Sequence, residues 1–217
     1  MKNKVMAIGA HPDDIEFGCG GTLAKHKEQG DFVVYVCMTN TESVDGVTNE
    51  IIRSSEENRS EVSDAAKILK CDVVEFLPFT DLKVPFSFES VSNLERLIKK
   101  YDIDTIYTHW AGDANQDHIA TFKTTMAASR YVPNVFCYEQ IPIPRMSENQ
   151  MDVNYYVDIT NTFDLKMSAS LCHDSQIRKY IHHGFDVKEN LQILAKFRGI
   201  QAKCNYAEAF KIIKQVW

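Results

Sequence analysis

A chain of 217 residues, 44% of them hydrophobic, is long enough for one sizeable α/β domain, so we expect a single domain over residues 1–217. Its formal net charge of −6 argues against nucleic-acid binding, which usually needs a basic patch or stripe. The six cysteines form no CxxC pair, and no apolar run approaches the roughly 18 residues that cross a bilayer. We therefore expect reduced thiols, no transmembrane segment and a cytoplasmic protein; the oligomeric state stays open, a homo-oligomer included.

Apolar runs and segments with helical spacing alternate along the chain. The predicted elements are, in order, strand 4–9, a short helix over about 22–29 that Gly30 ends, strand 32–38, a helix within 50–70, strand 73–77, helix 91–101, strand 104–109, a helix from about 118, strands 135–141 and 155–159, and helices 162–173 and 186–198. Strands joined by helical crossovers lie parallel. We therefore predict a three-layer, Rossmann-like α/β fold with a mainly parallel sheet flanked by helices.

A cluster of ionisable side chains follows the first predicted strand directly. In open α/β sheets, ligands bind where such strands end. His11 and Asp14 could offer an imidazole nitrogen and a carboxylate oxygen to one divalent ion, while Asp13 between them points elsewhere. Catalytic zinc sites typically use three protein ligands, so this segment alone is one ligand short. The alternative is that Asp13 and Asp14 cap the next helix and that His11 packs against the sheet.

A second polar cluster follows the strand at 104–109. After His118, apolar residues recur at intervals of three and four, which places His118 at the start of a helix, facing the strand ends. His109 itself is expected only to end its strand.

These two clusters carry a family resemblance. The segments AHPDDIEFGCGG at 10–21 and GDANQDH at 112–118 resemble the PIG-L/LmbE family of zinc-dependent N-acetylglucosaminide deacetylases. Further similarity to bacterial members is found in YYVDIT, in HDSQ and in the stretch from AKFRG to YAEAF, so the resemblance covers nearly the whole chain. Both motifs occur in the right order, and each follows a predicted strand.

The resemblance implies a function and a site. His11, Asp14 and His118 would bind zinc, and Asp13 would act as general base towards a water molecule that the metal activates. The mixed His/Asp set also suits other divalent transition ions. The expected reaction removes the acetyl group from an N-acetylated amino sugar or sugar conjugate, a small-molecule partner, and releases acetate and a free amine.

The second motif departs from the commonest family form, His-Pro-Asp-His. This chain has Asn115 at the first position, and an asparagine can donate a hydrogen bond but no proton at neutral pH. Asn115 is therefore a candidate donor to the oxyanion, whereas the leaving amine would take its proton from Asp13 or from another histidine. Asp117 has two interpretations: it orders Asn115 or His118 from outside the ligand set, or it caps the following helix.

The resemblance also implies substrate contacts. Asp113 would lie at the pocket rim and contact a sugar hydroxyl, and Asp81, which follows the third strand, would accept hydrogen bonds from the sugar; its alternative is a turn aspartate. The substrate arginine of the family aligns with Asn58, so we expect Arg53 and Arg59 on a solvated helix face. For the remaining polar candidates, we expect Glu16 to support the first loop and His182 and His183 to be exposed.

Two alternatives from other classes stay open. Gly18, Gly20 and Gly21 suggest a nucleotide-binding turn, but their spacing lacks the full GxGxxG form, and close packing of the first helix on the sheet explains them better. The first alternative is a non-catalytic or nucleotide-binding Rossmann-like protein in which the acidic cluster is a relic or a cap, and Asn115 keeps this alternative open. The second alternative is a hydrolase of a different amide or ester.

The polar segment at 142–152 is predicted to form a loop over the pocket mouth, where loops often set specificity.

Overall fold

Alternating strands and helices make up the fold, and the computed structural model describes residues 2–45, 47–48, 50–141, 151–182 and 184–216. The elements are β1 (Lys4–Gly9), α1 (Asp14–Glu28), β2 (Phe32–Thr39), β3 (Ser43–Val44), β4 (Ile51–Arg53), α2 (Ser55–Ile68), β5 (Val73–Phe79), α3 (Phe88–Tyr101), β6 (Thr105–Thr108), α4 (Gln116–Ala128), β7 (Asn134–Tyr138), β8 (Tyr155–Asp158), α5 (Phe163–Ser170), α6 (Asp174–His182), α7 (Val187–Ala202) and β9 (Ala207–Lys214).

One sheet of seven strands organises the described residues, in the order β5-β2-β1-β6-β7-β9-β8. The first five strands in this order are parallel, and β9 pairs antiparallel with both β7 and β8. The short strands β3 and β4 pair separately. The prediction of a mainly parallel, Rossmann-like sheet is confirmed. Because the five parallel strands run in one direction, their carboxyl ends share one edge of the sheet.

Both faces of the sheet are covered. Along β1 and β2 successive side chains point to opposite faces, so Met6 and Val34 join a core with residues of α3 and α4, whereas Val5 and Val33 join a core with residues of α1 and α2. Burial on both faces explains why these strands are continuous apolar runs. No helix among the described residues is long and apolar enough to cross a membrane.

Helix α1 begins at Asp14, eight residues before the predicted start, and it breaks at Cys19, whose backbone is not helical (φ −145°). The early start was missed because the glycines weaken the helical pattern. They are needed for close packing: a Cβ at Gly18 would lie 2.3 Å from the ring of Tyr138, and one at Gly21 would lie 2.9 Å from Ile159. These contacts support the interpretation of Gly18 and Gly21 as packing residues, whereas a Cβ at Gly20 would make only an ordinary contact, 3.6 Å from Lys166.

The C-terminal strand β9 and the short pair β3 and β4 were not predicted, nor was α6. The sequence of β9 contains the charged Glu208, which is 5% exposed and interrupts the apolar pattern of the strand. Because β4 ends at Arg53 and α2 begins only after the capping residue Ser54, Arg53 does not lie on a helix. The expectation of a solvated Arg53 is wrong, since its side chain is 1% exposed.

Candidate active site and metal centre

An open cavity of about 900 Å³ lies at the carboxyl edge of the parallel strands. Three segments that are far apart in sequence meet there: residues 11–14 after β1, Asp81 after β5, and residues 113–118 after β6. Ligands of open α/β sheets bind at this edge because the loops that follow parallel strands converge on it. The predicted site residues that line the cavity are His11, Asp13, Asp14, Asp81, Asp113, Asn115 and His118, while Asp117 lies behind them.

His11, Asp14 and His118 can hold one metal ion. Each offers one ligand atom, and these atoms all lie within 4.8 Å of one another. His118 Nε2 is 3.2 Å from Asp14 Oδ1, and His11 Nδ1 is 3.5 Å from Asp14 Oδ2. Two imidazoles and one carboxylate form the three-ligand set of many catalytic zinc sites, which leaves a position for water or substrate. The three residues therefore fit a divalent ion.

The charges around the two histidines favour a cation. Burial acts to lower the pKa of His11, but hydrogen bonds with Asp117, Asp14 and Asp81 outweigh it and hold this pKa well above its usual value. Burial likewise opposes the charge of His118, and Asp14 and Asp113 raise its pKa. Since both histidines attract protons at this site, a divalent ion would displace those protons and take over the interaction with the carboxylates.

Carboxylates contact the second ring nitrogen of His11 and of His118, the one that is not the candidate ligand atom. His11 Nε2 lies 3.0 Å from Asp117 Oδ2 and 3.1 Å from Asp81 Oδ1, and His118 Nδ1 lies 2.8 Å from Asp113 Oδ2. Such contacts fix the ring orientation and strengthen the histidine as a ligand. Asp81 and Asp113 thus contact the candidate ligands, whereas their predicted contacts with sugar hydroxyls stay predictions.

Asp117 contacts a different partner from those we expected. Its carboxylate bonds His11 and accepts from the backbone N–H of Val84 at 3.2 Å, whereas its own N–H donates to Asn115 Oδ1 at 2.8 Å. The cap of α4 is therefore Asn115, and the interpretation of Asp117 as the cap is wrong. Asn115 lies one position before the helix, where an amide oxygen can reach the free N–H groups of the first turn.

Asn115 keeps one polar end for a ligand. Because its Oδ1 is engaged in the cap, the Nδ2 group is the part of the side chain that can donate into the cavity, which Asn115 lines. This orientation suits the predicted role as a donor to an oxyanion, which stays a prediction.

Asp13 is buried and held in an unusual backbone conformation. Its φ of 104° lies in the left-handed region, which a residue with a Cβ adopts only at an energetic cost, and such strain clusters at functional sites. Burial, and then the neighbouring charge of Asp14, raises the pKa of Asp13 to about 7, although His173 and Arg53 act in the opposite direction. A carboxyl group with this pKa can both accept and return a proton near neutral pH.

His109 was expected only to end its strand, but it belongs to the site. Its ring is fully buried and stacks on His118 with 3.9 Å between the ring centroids. The backbone N–H of Ala10 donates to its Nε2 at 3.0 Å, and the same atom lies 3.1 Å from Asp14 Oδ2. Burial, together with the charge of His118, lowers the pKa of His109 to about 4. His109, Asp113 and His118 also form a second candidate ligand set.

A buried ionic network that the sequence did not predict lies next to the cavity. Arg53 Nη1 donates to Glu61 at 2.9 Å, His173 Nδ1 lies 3.7 Å from Glu61, and His173 Nε2 lies 3.3 Å from Glu16. Burial opposes the charge of His173, but Glu16 and Glu61 raise its pKa to about 9. The Glu16 side chain therefore contacts His173, between α5 and α6, and accepts from the Tyr35 hydroxyl at 3.1 Å, whereas its expected support of the first loop stays a prediction. The HDSQ segment was the available signal, since it contains His173.

The remaining predicted features lie at the margin of the site. Asn58, which aligns with the family arginine, is buried and donates to the backbone oxygen of Thr41 at 2.7 Å. His182 is exposed, as expected, and His183 lies outside the described residues. The predicted loop at the pocket mouth also lies outside them for residues 142–150, whereas Ile141 and Met151 on either side line the cavity.

Comparison with known proteins places this geometry in a family. The family model of PIG-L, described as GlcNAc-PI de-N-acetylase, matches residues 6–129. An uncharacterized deacetylase of Escherichia coli K12, YaiS, is 38% identical over 141 residues, which cover 62% of this chain and 72% of that protein. The diacetylchitobiose deacetylase of Thermococcus kodakarensis is 24% identical over 234 residues, which cover 99% and 84%.

The same fold occurs in an enzyme that is named a hydratase and not a deacetylase. The crystal structure of 4-carboxy-2-hydroxymuconate hydratase from Pseudomonas putida KT2440 matches with a TM-score of 0.82 and 22% identity, over 99% of this chain and 98% of that one. This likeness concerns the fold alone. The family model, in contrast, covers more than half of the chain and contains both ligand motifs. The chain therefore belongs to the PIG-L (GlcNAc-PI de-N-acetylase) family.

Proposed function

We propose that this protein is a zinc-dependent N-deacetylase, which removes the acetyl group from an N-acetylated amino sugar or sugar conjugate and releases acetate and a free amine. One observation carries the proposal: a His/Asp/His ligand set and a buried, strained Asp13 with a pKa of about 7 line the same cavity. The names of the relatives support it, since one acts on diacetylchitobiose and another is a probable N-acetylglucosaminyl malate deacetylase.

His11, Asp14 and His118 would hold the ion. When bound, zinc or another divalent ion lowers the pKa of a water molecule towards about 7 and polarises the acyl oxygen. Asp81 and Asp117 orient His11, and Asp113 orients His118, through the nitrogen that faces away from the ion. His109 packs against this set from the sheet side.

Asp13 and Asn115 would act on the substrate. Asp13 accepts the proton of the attacking water as the amide carbon is attacked, and it then returns a proton to the leaving amine nitrogen, so that one carboxyl serves as base and as acid. Its pKa of about 7 suits both steps. The amide group of Asn115 donates to the oxygen that gains negative charge. Removal of one such donor commonly costs about 10²–10³ in rate.

The proposal is tested by acetate release. The protein is purified gently, stripped with a chelator and reloaded with zinc or cobalt, and acetate and free amine are measured with N-acetylglucosamine, diacetylchitobiose and N-acetylglucosaminyl malate. We expect one metal ion per chain and acetate release that chelation abolishes. A fully loaded protein that releases no acetate from any N-acetylated sugar or conjugate would contradict the proposal. Water addition to an unsaturated dicarboxylate without acetate release would point to hydratase chemistry instead.

The proposal includes a cytoplasmic location and a small-molecule partner. All six cysteines carry free thiols, which is typical of proteins in a reducing compartment. A homo-oligomer stays a prediction, which light scattering of the purified protein tests.

A further inference from the structure

Helix α7 presents apolar side chains on two sides. One row packs against the rest of the molecule and consists of Val187, Leu191, Ala195 and Gly199. The other side carries Ile193 and Phe197, one helical turn apart, and these side chains are 58% and 51% exposed. Large apolar side chains that remain in water are a binding surface when they are contiguous with a functional cavity.

Ile193 and Phe197 line the same cavity as the candidate active site. Leu194 of α7, Tyr180 of α6 and Met151 line it as well, and we call these five residues the apolar rim. The volume of about 900 Å³ lies near the upper end of the range for small-molecule pockets, which is about 300–1,000 Å³. The cavity therefore has room for more than one sugar ring.

The two ends of the cavity have opposite chemistry. At the sheet edge, the wall consists of carboxylates and imidazoles, which suit an ion and the amide that reacts there. At the rim, the cationic Arg198 is already neutralised, because its Nε donates to Glu139 at 2.7 Å. The cationic Lys179 of α6 also lines the cavity, so the match to an apolar group rests on the contiguous apolar side chains of the rim and not on an absence of charge. The rim and Asp13 line one cavity. The rim therefore suits a second part of the same substrate molecule, while the amide of that substrate reaches Asp13.

We propose that the apolar rim binds a hydrophobic aglycone of the N-acetylated sugar. This inference rests on the proposed deacetylase function and deepens it by naming the substrate class. The sugar end lies at the metal centre, and the apolar end lies across Ile193 and Phe197.

A homologous series of substrates tests the rim. The probes are the methyl, butyl and octyl glycosides of N-acetylglucosamine, with the octyl compound kept below its micelle concentration. A fully buried methylene strengthens apolar binding up to about 4-fold. We expect kcat/KM of the octyl glycoside to exceed that of the methyl glycoside at least about 10-fold, mainly through a lower KM. A ratio near one in the wild-type enzyme would overturn the proposal while leaving the deacetylase function intact.

Matched variants test whether Ile193 and Phe197 cause the preference for the octyl glycoside. Ile193→Ser and Phe197→Ser each remove an exposed side chain, so the fold is expected to survive. Each should lower the octyl-to-methyl ratio of kcat/KM at least about 3-fold. The control is Ile200→Ser on the same helix, because Ile200 is 77% exposed and is not among the described residues that line the cavity. An equal loss in the Ile200→Ser protein would refute the rim as a binding surface.

Two further outcomes keep this inference separate from the proposed function. If neither these glycosides nor the other N-acetylated sugars release acetate, the deacetylase proposal fails. Calorimetric binding of the octyl glycoside then decides the rim: binding at least about 3-fold weaker in Phe197→Ser than in Ile200→Ser supports it, and equal binding refutes it. If the wild-type protein forms a dimer that Phe197→Ser abolishes, with no change in the octyl-to-methyl ratio, the occupant is a second copy of the chain and the aglycone proposal is wrong.

Discussion

At the scale of single residues, two adjacent aspartates at the start of α1 lie in different electrostatic environments. Burial would raise the pKa of Asp14, but the charge of His118 and a hydrogen bond with His11 hold it well below its usual value, so Asp14 stays ionised near neutral pH. Asp13 is also buried, and burial and the charge of Asp14 raise its pKa to about 7. In the proposed mechanism, these two environments suit Asp14 to metal binding and Asp13, whose backbone is left-handed, to proton transfer.

This division predicts different effects of two substitutions. Asp13→Asn should keep about one metal ion per chain and lose about 10²–10⁴ in kcat, because the ligand set is intact but the proton acceptor is gone. His118→Ala should lose the metal, since only two protein ligands remain. Elemental analysis and acetate release measure both effects, with the exposed Asp102→Asn as control. Equal metal loss in Asp13→Asn and His118→Ala would show that the roles are assigned wrongly.

His173 makes a pH-dependent contribution to stability. Its pKa of about 9 in the folded protein exceeds the value near 6.5 of an exposed histidine, because Glu16 and Glu61 outweigh the effect of burial. Because the pKa is higher in the folded state, protonation of His173 stabilises the fold. This stabilisation is fully present below pH 6.5 and is lost as the pH rises through 9. We expect the metal-free protein to lose free energy of unfolding on the order of 2 kcal/mol from this group between pH 6.5 and 9.

The comparison of two variants isolates this effect. Urea unfolding of the metal-free protein at several pH values should give a steeper fall for the wild type than for His173→Gln, because His11 and His118 titrate in both proteins. The exposed His182→Gln protein should retain the wild-type slope. Parallel curves for the wild type and His173→Gln would mean that His173 is not charged in the fold.

At the scale of elements, a buried ion pair holds the break in α1. Lys166 Nζ donates to the backbone oxygens of Glu16 and Phe17 at 3.0 and 2.7 Å, and Glu208 accepts from the backbone N–H groups of Gly21 and Thr22 at 2.9 and 2.7 Å. These four backbone groups lie on either side of Cys19, where the helix is interrupted. The Lys166–Glu208 pair therefore replaces helical hydrogen bonds at the break and holds the first segment of α1, which begins at Asp14.

Removal of one partner of the Lys166–Glu208 pair should destabilise the protein strongly. Lys166→Met leaves Glu208 as an unpaired buried charge and two backbone oxygens without their donor, so we expect a loss of about 3–5 kcal/mol in the free energy of unfolding. The double variant Lys166→Met/Glu208→Gln should lose less than the sum of the single variants. Lys67→Met, in the exposed pair with Asp64, should cost less than about 1 kcal/mol. Urea unfolding measures all four, and strict additivity would contradict a coupled pair.

The elements also show what the sequence can predict. The parallel strands were recognised because burial on both faces leaves an uninterrupted apolar run, and the ligand residues were recognised because they lie in short motifs after two of these strands. The burial of three charged residues, Glu208, Arg53 and His173, was not predicted. Their charges are satisfied by partners 42, 8 and 157 positions away along the chain, and without the partner a charged residue in a sequence indicates the surface.

At the scale of the whole molecule, the candidate metal centre combines segments from the first and middle parts of the chain. His11 and Asp14 follow β1, and His118 lies in the first turn of α4, so an ion at this site would connect two segments about a hundred residues apart in sequence. A ligand that binds only the folded state stabilises it, by about 2.7 kcal/mol when its concentration is 100 times its Kd. The unfolded chain has no such preformed set, so metal binding should be visible as global stability.

Metal loading should therefore raise the melting temperature of the whole protein. For a chain of this size about 1 kcal/mol shifts Tm by roughly 2–4 °C, so saturation with zinc should raise Tm by about 5–10 °C, and a chelator should reverse the shift. Asp13→Asn should show the full shift, because it keeps the ligands, and His118→Ala should show none. Differential scanning calorimetry measures this without any substrate. A full shift in His118→Ala would mean that the stabilising ion binds elsewhere, for example at the candidate set of His11, Asp81 and Asp117.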